Sequence, residues 1–228
     1  MPRADALLVL GADGCRGGGW VVAMVDGEGQ LRWEWAGDTT ALLALSEECG
    51  ADAVAMDVPI GLPVLGSVRS CDVAARLRLG PRRSSVFAAP PREVLGCGTY
   101  AQARAVAPSL SAHAFGLVPR IREVDDVLGE RGPSIHERVV ECHPEVAFAL
   151  ITTTPLATKK SAAGALQRIV LLEDVIGPLP VDVPAGASLD DALDAAACAI
   201  GALRWARGEA EVLGGEQDAL GVPMRIVV

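Results

Sequence analysis

Apolar and polar positions along the first third of the chain fall into short runs with strand periods. Residues 6–12 (ALLVLGA) are continuously apolar, as in a strand covered on both faces, and Asp13 ends the run. Two further strands are predicted over 19–26 (GWVVAMVD) and 30–36 (QLRWEWA), joined by the hairpin turn Gly27-Glu28-Gly29. An antiparallel meander therefore opens the fold. Thr39 or Thr40 is expected to cap a helix running to about Cys49, and residues 52–56 (DAVAM) form a fourth, buried strand that ends at Asp57. The order to this point is three strands, a helix and a strand.

From Pro59 to about Arg138 the strand signal disappears. Pro and Gly are frequent there, an Arg-rich helix is predicted near 69–79 (RSCDVAARLRL), a loop runs from Pro81 to Pro91, and helices follow near 99–106 and 111–128. This stretch is expected to be a helical insertion, about 62–136, within one domain spanning 1–228. Beyond it, 138–142 (RVVEC) predicts a fifth strand, 161–176 (SAAGALQRIVLLEDVI) a helix, and 189–207 (LDDALDAAACAIGALRWAR) a long Ala-rich terminal helix. The chain carries no internal repeat and no low-complexity linker.

Composition narrows the class. With 228 residues, half of them hydrophobic, and a mean hydropathy of +0.33, the chain is neither a disordered tail nor a small disulfide-stapled module. Size scaling lets it bury roughly 70% of its unfolded surface, enough for one substantial core. Aromatic residues are only 4%, so that core rests on Ala, Val and Leu, and platforms for stacking exposed bases are scarce. Asp and Glu number 29 against 20 Lys and Arg, a net charge of −9, whereas coating by nucleic acid normally needs a basic surface. Any contact with nucleic acid or a nucleotide phosphate is therefore expected to be local. The six cysteines (15, 49, 71, 97, 142 and 198) are far apart and form no C-x-x-C pair, as expected of buried or idle thiols in a reducing compartment. Asp5 precedes a short apolar run and no stretch reaches the ~20 apolar residues of a membrane span, so a cytoplasmic, membrane-free location is expected.

The carboxylates carry the chemistry. Asp13 and Asp57 each end an apolar strand, and in open α/β sheets ligands gather beyond the carboxyl ends of the strands. Each also suits a turn, since Asp-Gly is a common turn pair and an Asp before Val-Pro can bond its own loop. On the terminal helix Asp191 and Asp194 are three residues apart and share a face with the small residues Cys198 and Gly201, so that helix can approach a sheet closely. Ser188 lies three residues before Asp191 and fits a capping box; Asp194 lies past the first turn, where capping no longer explains it. Four carboxylates brought together would repel one another and take up protons, unless a divalent cation removes the conflict. Oxygen-only ligands favour Mg²⁺ or Mn²⁺, and a pair of such ions about 3.5–4 Å apart can activate water and stabilise the leaving oxygen in phosphodiester cleavage.

The element order, with acids after the first and fourth strands and on the last helix, resembles the ribonuclease-H-like fold. The spacing D191-A-L-D194-A is similar to that of the Holliday-junction resolvases of the RuvC type. More narrowly, the chain resembles a family catalogued as a domain of unknown function and described as predicted nucleases of ribonuclease H fold. The segments that carry this are G11-A-D-G-C-R-G-G-G-W20, D57-V-P-I-G-L-P63, R69-S-C-D-V-A-A-R76, R83-S-S-V-F-A-A-P90, E141-C-H-P-E145, K159-K160 with Gly164, and D190-D-A-L-D-A195. They run from about residue 10 to 200. The resemblance implies an α/β fold with a mixed five-stranded sheet, its fourth and fifth strands parallel to the first, flanked by helices.

The remaining motifs fall into place around that site. The glycines at 11, 14 and 17–19 lead into a strand and not a helix, so they are no dinucleotide fingerprint, and no Gly-Lys-Ser/Thr P-loop exists. They form a tight turn, whose N–H groups beside Asp13 can also meet a phosphate. Arg69, Arg76 and Arg83, with Ser84 and Ser85, lie in the densest basic segment and, given the resemblance, are expected to hold substrate phosphates. Lys159 and Lys160 are the only lysines and precede a helix start, where positive charge opposes the dipole; substrate contact is assigned to Lys159 and transition-state neutralisation to Lys160, an exposed solvated pair being the alternative. Strand alternation would put Glu141 and His143 on one face, Glu141 as an extra acid of the site and His143 as a proton shuttle at the substrate, or the two as a buried pair.

The expected activity is that of a divalent-metal-dependent nuclease or phosphodiesterase. Asp13 and Asp57 bridge the metal, and Asp194 and Asp191 complete its shell. Two other classes share these features: a single-lobe nucleotide-binding phosphotransferase, and a non-catalytic binding module on the same scaffold.

Overall fold

The computed structural model describes residues 7–228; Asp5 and Ala6, ahead of and at the start of the first expected strand, lie outside the described residues. In chain order the strands and helices are β1 (Leu8–Gly14), β2 (Trp20–Asp26), β3 (Leu31–Ala36), α1 (Thr39–Glu48), β4 (Ala53–Met56), α2 (Ser70–Leu79), α3 (Tyr100–Val106) and α4 (Ala112–Arg131). They continue with β5 (Val139–Glu141), α5 (Pro144–Ile151), α6 (Ala162–Ile176), α7 (Leu189–Arg207), β6 (Val212–Gln217) and β7 (Pro223–Val227). The fold is mixed α/β, and the described residues form seven strands where five were expected.

The chain divides into two compact units, one of residues up to Asp57 with Arg138–Glu211 and Val227–Val228, the other of Val58–Glu137 with Val212–Ile226. In the first unit β1 pairs antiparallel with β2, and β2 with β3, while β4 runs parallel to β1 and β5 parallel to β4. The expected hairpin is closed by the Asp26 carboxylate, which accepts the N–H groups of Glu28 and Gln30 at 3.0 and 2.9 Å. The cap of α1 is Asp38 and not a threonine: its Oδ1 accepts the Ala41 N–H at 2.8 Å, because Asp immediately ahead of the two threonines takes the capping position first.

Helix α7 packs across β1, β2 and β4, with α5 and α6 against it. Its residues from Ala192 to Leu203 are all buried, since a helix made mostly of Ala can be surrounded on every side without a polar face. Gly11 on β1 sets how close it comes. A Cβ there would stand 2.0 Å from the Ala199 backbone N and 2.2 Å from the Ala195 O, so helix and strand touch backbone to backbone.

In the second unit Val94, Ala103, Ala107, Leu110, Ala114 and Val118 form a small apolar core under α3 and α4. The two unexpected strands, β6 and all of β7 but Val227, also belong to this unit.

Candidate metal centre

Register builds the centre. Ala12 on β1 is paired with Met56 on β4, so the next residues, Asp13 and Asp57, stand side by side at the carboxyl ends of neighbouring parallel strands. The Asp57 N–H donates to the Ala12 carbonyl at 3.0 Å, which ties the turn after β4 to β1. Alternation puts Asp13 on the same face as Gly11, the face on which α7 lies. The close approach of Ala195 therefore carries its neighbour Asp194 to the two strand ends. One oxygen each from Asp13, Asp57 and Asp194 lie within 4.8 Å of one another.

Such proximity is costly without a cation. Burial, then the charges of Asp57, Asp194 and Asp191, raise the Asp13 carboxyl well above its ordinary range against the opposing Gly14 N–H, which donates to Asp13 Oδ1 at 2.8 Å. Burial and then Asp194 raise Asp57 in the same way, with Glu141 and Glu145 adding to it. Asp194, only 3% exposed, is pushed up to about 6, by burial first and by Glu145 and Asp190 after it. Lys159 opposes that rise, with Nζ 2.6 Å from Asp194 Oδ2. Burial works against the charge of Lys159, but the pairing with Asp194 wins and raises its ammonium above the ordinary lysine range.

Asp194 Oδ1, in contrast, is buried with no hydrogen-bond partner among the described residues. A buried carboxylate oxygen left bare is expensive unless something positive meets it. An orphaned oxygen beside two further carboxylates, with oxygen as the only donor type, fits a hard divalent cation such as Mg²⁺ or Mn²⁺.

The other expected residues are placed as follows. Asp191 closes the capping box of α7: its Oδ2 accepts the Ser188 N–H at 2.9 Å, and its own N–H donates to Ser188 Oγ at 3.2 Å. It lies close enough to raise Asp13 and to bond the Cys15 thiol, yet it is not one of the three acids that converge. Glu141 pairs in register with Met56, so alternation turns it to the face opposite Asp57, although its charge still reaches that residue. His143 is not on the strand at all. β5 stops at Glu141, and His143 occupies the N-cap position of α5 ahead of Pro144, so alternation does not carry to it. The position beside Asp57 on the α7 face belongs to Cys142, whose N–H bonds Met56 O and whose Sγ would meet a Cβ on Gly201 at 2.8 Å. Lys160 is exposed, one residue beyond the lysine that reaches Asp194.

The arginines and serines expected at the substrate belong to the second unit. Arg69 is buried and its donors are used inside the protein, by Asp72 Oδ1 and by the carbonyls of Ile60 and Gly61 at 3.2 Å each. Arg76 donates from Nε to the Val86 carbonyl at 2.9 Å, while Arg83, Ser84 and Ser85 are exposed.

Two residues that the sequence did not single out support the centre. Arg168 on α6 forms a buried 2.6 Å ion pair with Glu145 on α5, and donates to the carbonyls of Ala157 and Gly164 at 3.1 and 3.0 Å. The Ala157 N–H in turn bonds Gln167 Oε1 at 2.8 Å, and Gly164 packs so tightly that a Cβ would stand 2.1 Å from Thr158 O. The backbone leading to Lys159 is thus clamped by α6. Glu145 stands in the E141-C-H-P-E145 segment, and Arg168 is the one cation among the apolar residues of its helix; these were the available signals.

A family model described as "Protein of unknown function (DUF429)" matches residues 11–219. No curated protein and no solved structure matches the chain.

Proposed function

We propose, for a chain that belongs to the DUF429 family, the activity of a divalent-metal-dependent phosphodiesterase or nuclease on a ribonuclease-H-like scaffold. The observation that carries this reading is the meeting of Asp13, Asp57 and Asp194, with one oxygen of Asp194 buried and bare. Three carboxylates whose proton affinities are all raised form a centre that is unstable when charged and alone, and that a hard dication stabilises. Asp13, Asp57 and Asp194 would hold the ion.

When bound, a divalent cation supplies charge neutralisation for a phosphoryl oxygen and a more acidic water. The chain's own groups do the rest. Asp13 and Asp57, fixed by the pairing of β1 with β4, orient the reacting phosphate; the backbone contact of α7 with Gly11 keeps Asp194 in place; and Lys159, with its side chain 38% exposed, offers a positive edge to an anionic ligand. The overall charge of −9 keeps the contact with a polynucleotide short. No helix among the described residues is long and apolar enough to cross a membrane.

The test is hydrolysis of labelled oligonucleotides and of a simple phosphodiester by the purified full chain, with Mn²⁺ or Mg²⁺ and then with a chelator. Asp13→Asn is expected to abolish ion-stimulated cleavage while the far-UV circular dichroism stays that of the wild type. Cleavage that survives this substitution, or that persists in chelator, overturns the reading.

A further inference from the structure

We infer that Lys159 is a built-in second cation, and that this centre takes one divalent ion where a pair would otherwise sit. The inference deepens the proposed activity and rests on it.

A second ion beside the first needs further carboxylate charge to hold it. Here two of the three acids have one oxygen already in a hydrogen bond: Asp194 Oδ2 with Lys159 Nζ at 2.6 Å, and Asp13 Oδ1 with the Gly14 N–H at 2.8 Å. Each of those oxygens keeps a lone pair, but the one on Asp194 already faces a full positive charge at 2.6 Å, which repels a second cation, whereas Asp194 Oδ1 is bare. With Asp57 they suit a single octahedral ion that keeps its other positions for water or a phosphate oxygen. Charge leads to the same count. Three carboxylates carry three negative charges, Lys159 cancels one, and one dication cancels the other two. Of the nearby acids, Glu145 is paired with Arg168 and Asp191 is held at the positive end of α7, while Glu141 and Asp190 add negative charge around the three.

Lys159 is also no chance surface contact. The segment before it is fastened by Gln167, Arg168 and the close packing of Gly164, and Ser161 Oγ donates to Thr158 O at 2.8 Å. Its neighbour Lys160, lacking any such placement, is exposed.

The test titrates metal-stripped full-length protein with Mn²⁺, counting ions by calorimetry and reading their coupling by electron paramagnetic resonance. The wild type is expected to bind one Mn²⁺ per chain with the spectrum of an isolated ion. Lys159→Met, and Lys159→Gln should that variant fold poorly, is expected to admit a second ion with an exchange-coupled spectrum. A wild type that already binds a coupled pair overturns the lysine's role and leaves the metal-dependent activity standing. A variant that folds and still binds a single ion overturns it too. A wild type that binds no Mn²⁺ at millimolar concentration overturns both.

Discussion

Lys159 and Asp194 form a 2.6 Å ion pair across the loop before α6 and the face of α7, and the pair uses only one of the two aspartate oxygens. The other oxygen is buried without a hydrogen-bond partner, on a residue that meets Asp13 and Asp57. A single side chain is thus divided between a tethered cation and a cluster of two further carboxylates. That division makes the electrostatics of the site measurable even before a substrate is known.

The first measurement is of stability against pH. Asp194 is pushed up to about 6 and Asp13 and Asp57 are raised with it. A carboxyl with a folded-state pKa above its unfolded value binds more protons when folded, so stability is present at low pH and is lost as pH rises from about 4 through about 6. The Asp194 shift alone is worth on the order of 3 kcal/mol. Urea unfolding in chelator is expected to show the chain weakening from about pH 4 to pH 6, with Mn²⁺ restoring the loss. Asp57→Asn is expected to flatten the slope, and an unchanged slope contradicts the assignment.

Close packing at β1 gives a second test. Gly11→Ala places a methyl against the Ala195 and Ala199 backbone, which cannot rotate away, and is expected to cost about 3 kcal/mol or more and to weaken Mn²⁺ binding together with stability. Gly17→Ala, where a Cβ meets nothing within 4 Å, is expected to stay within about 0.5 kcal/mol of the wild type. Equal effects in thermal melts would refute the contact.

The support of Lys159 is tested through Arg168. Truncating it to Ala strands the buried Glu145 carboxylate and two backbone carbonyls, at an expected cost of about 3–5 kcal/mol. The double variant Arg168→Met with Glu145→Leu is expected to recover much of that loss in urea unfolding. A double variant as unstable as the single one would show that the pair is not the source.

Asp191 separates capping from ligation. Asp191→Ala is expected to cost about 1 kcal/mol through the lost α7 cap while Mn²⁺ affinity changes only a few fold. Loss of Mn²⁺ binding at unchanged stability would move Asp191 into the metal shell.

Much of this arrangement is legible in the sequence. Strands β1, β2 and β4 are continuous apolar runs, and acids end them because a buried strand must surface at its end; the bounds of α7 follow from its capping box and Ala periodicity. The strands after α7 were not legible, since β6 (VLGGEQ) is exposed, glycine-interrupted and without alternation, and β7 begins at a proline. Helix α5 hid for the opposite reason. Its eight residues carry one acid after the proline and then only apolar side chains, so no 3.6-residue period appears. Two adjacent lysines look alike in sequence, and only the anchoring of residues 157 and 158 on α6 tells Lys159 from Lys160. Arg69 pointed to phosphate by its neighbours in sequence, whereas its partner three residues on, Asp72, holds it in the interior.

The seat of α7 on Gly11 has a mechanical consequence. Main chain bearing on main chain leaves no rotamer to absorb a misfit, so the gap that separates Asp194 from the strand-end acids is a hard stop. If the centre takes the proposed ion, one too large for that gap would have to shift a strand or a helix to enter, and discrimination by radius would then lie in the scaffold, below the level of any side chain.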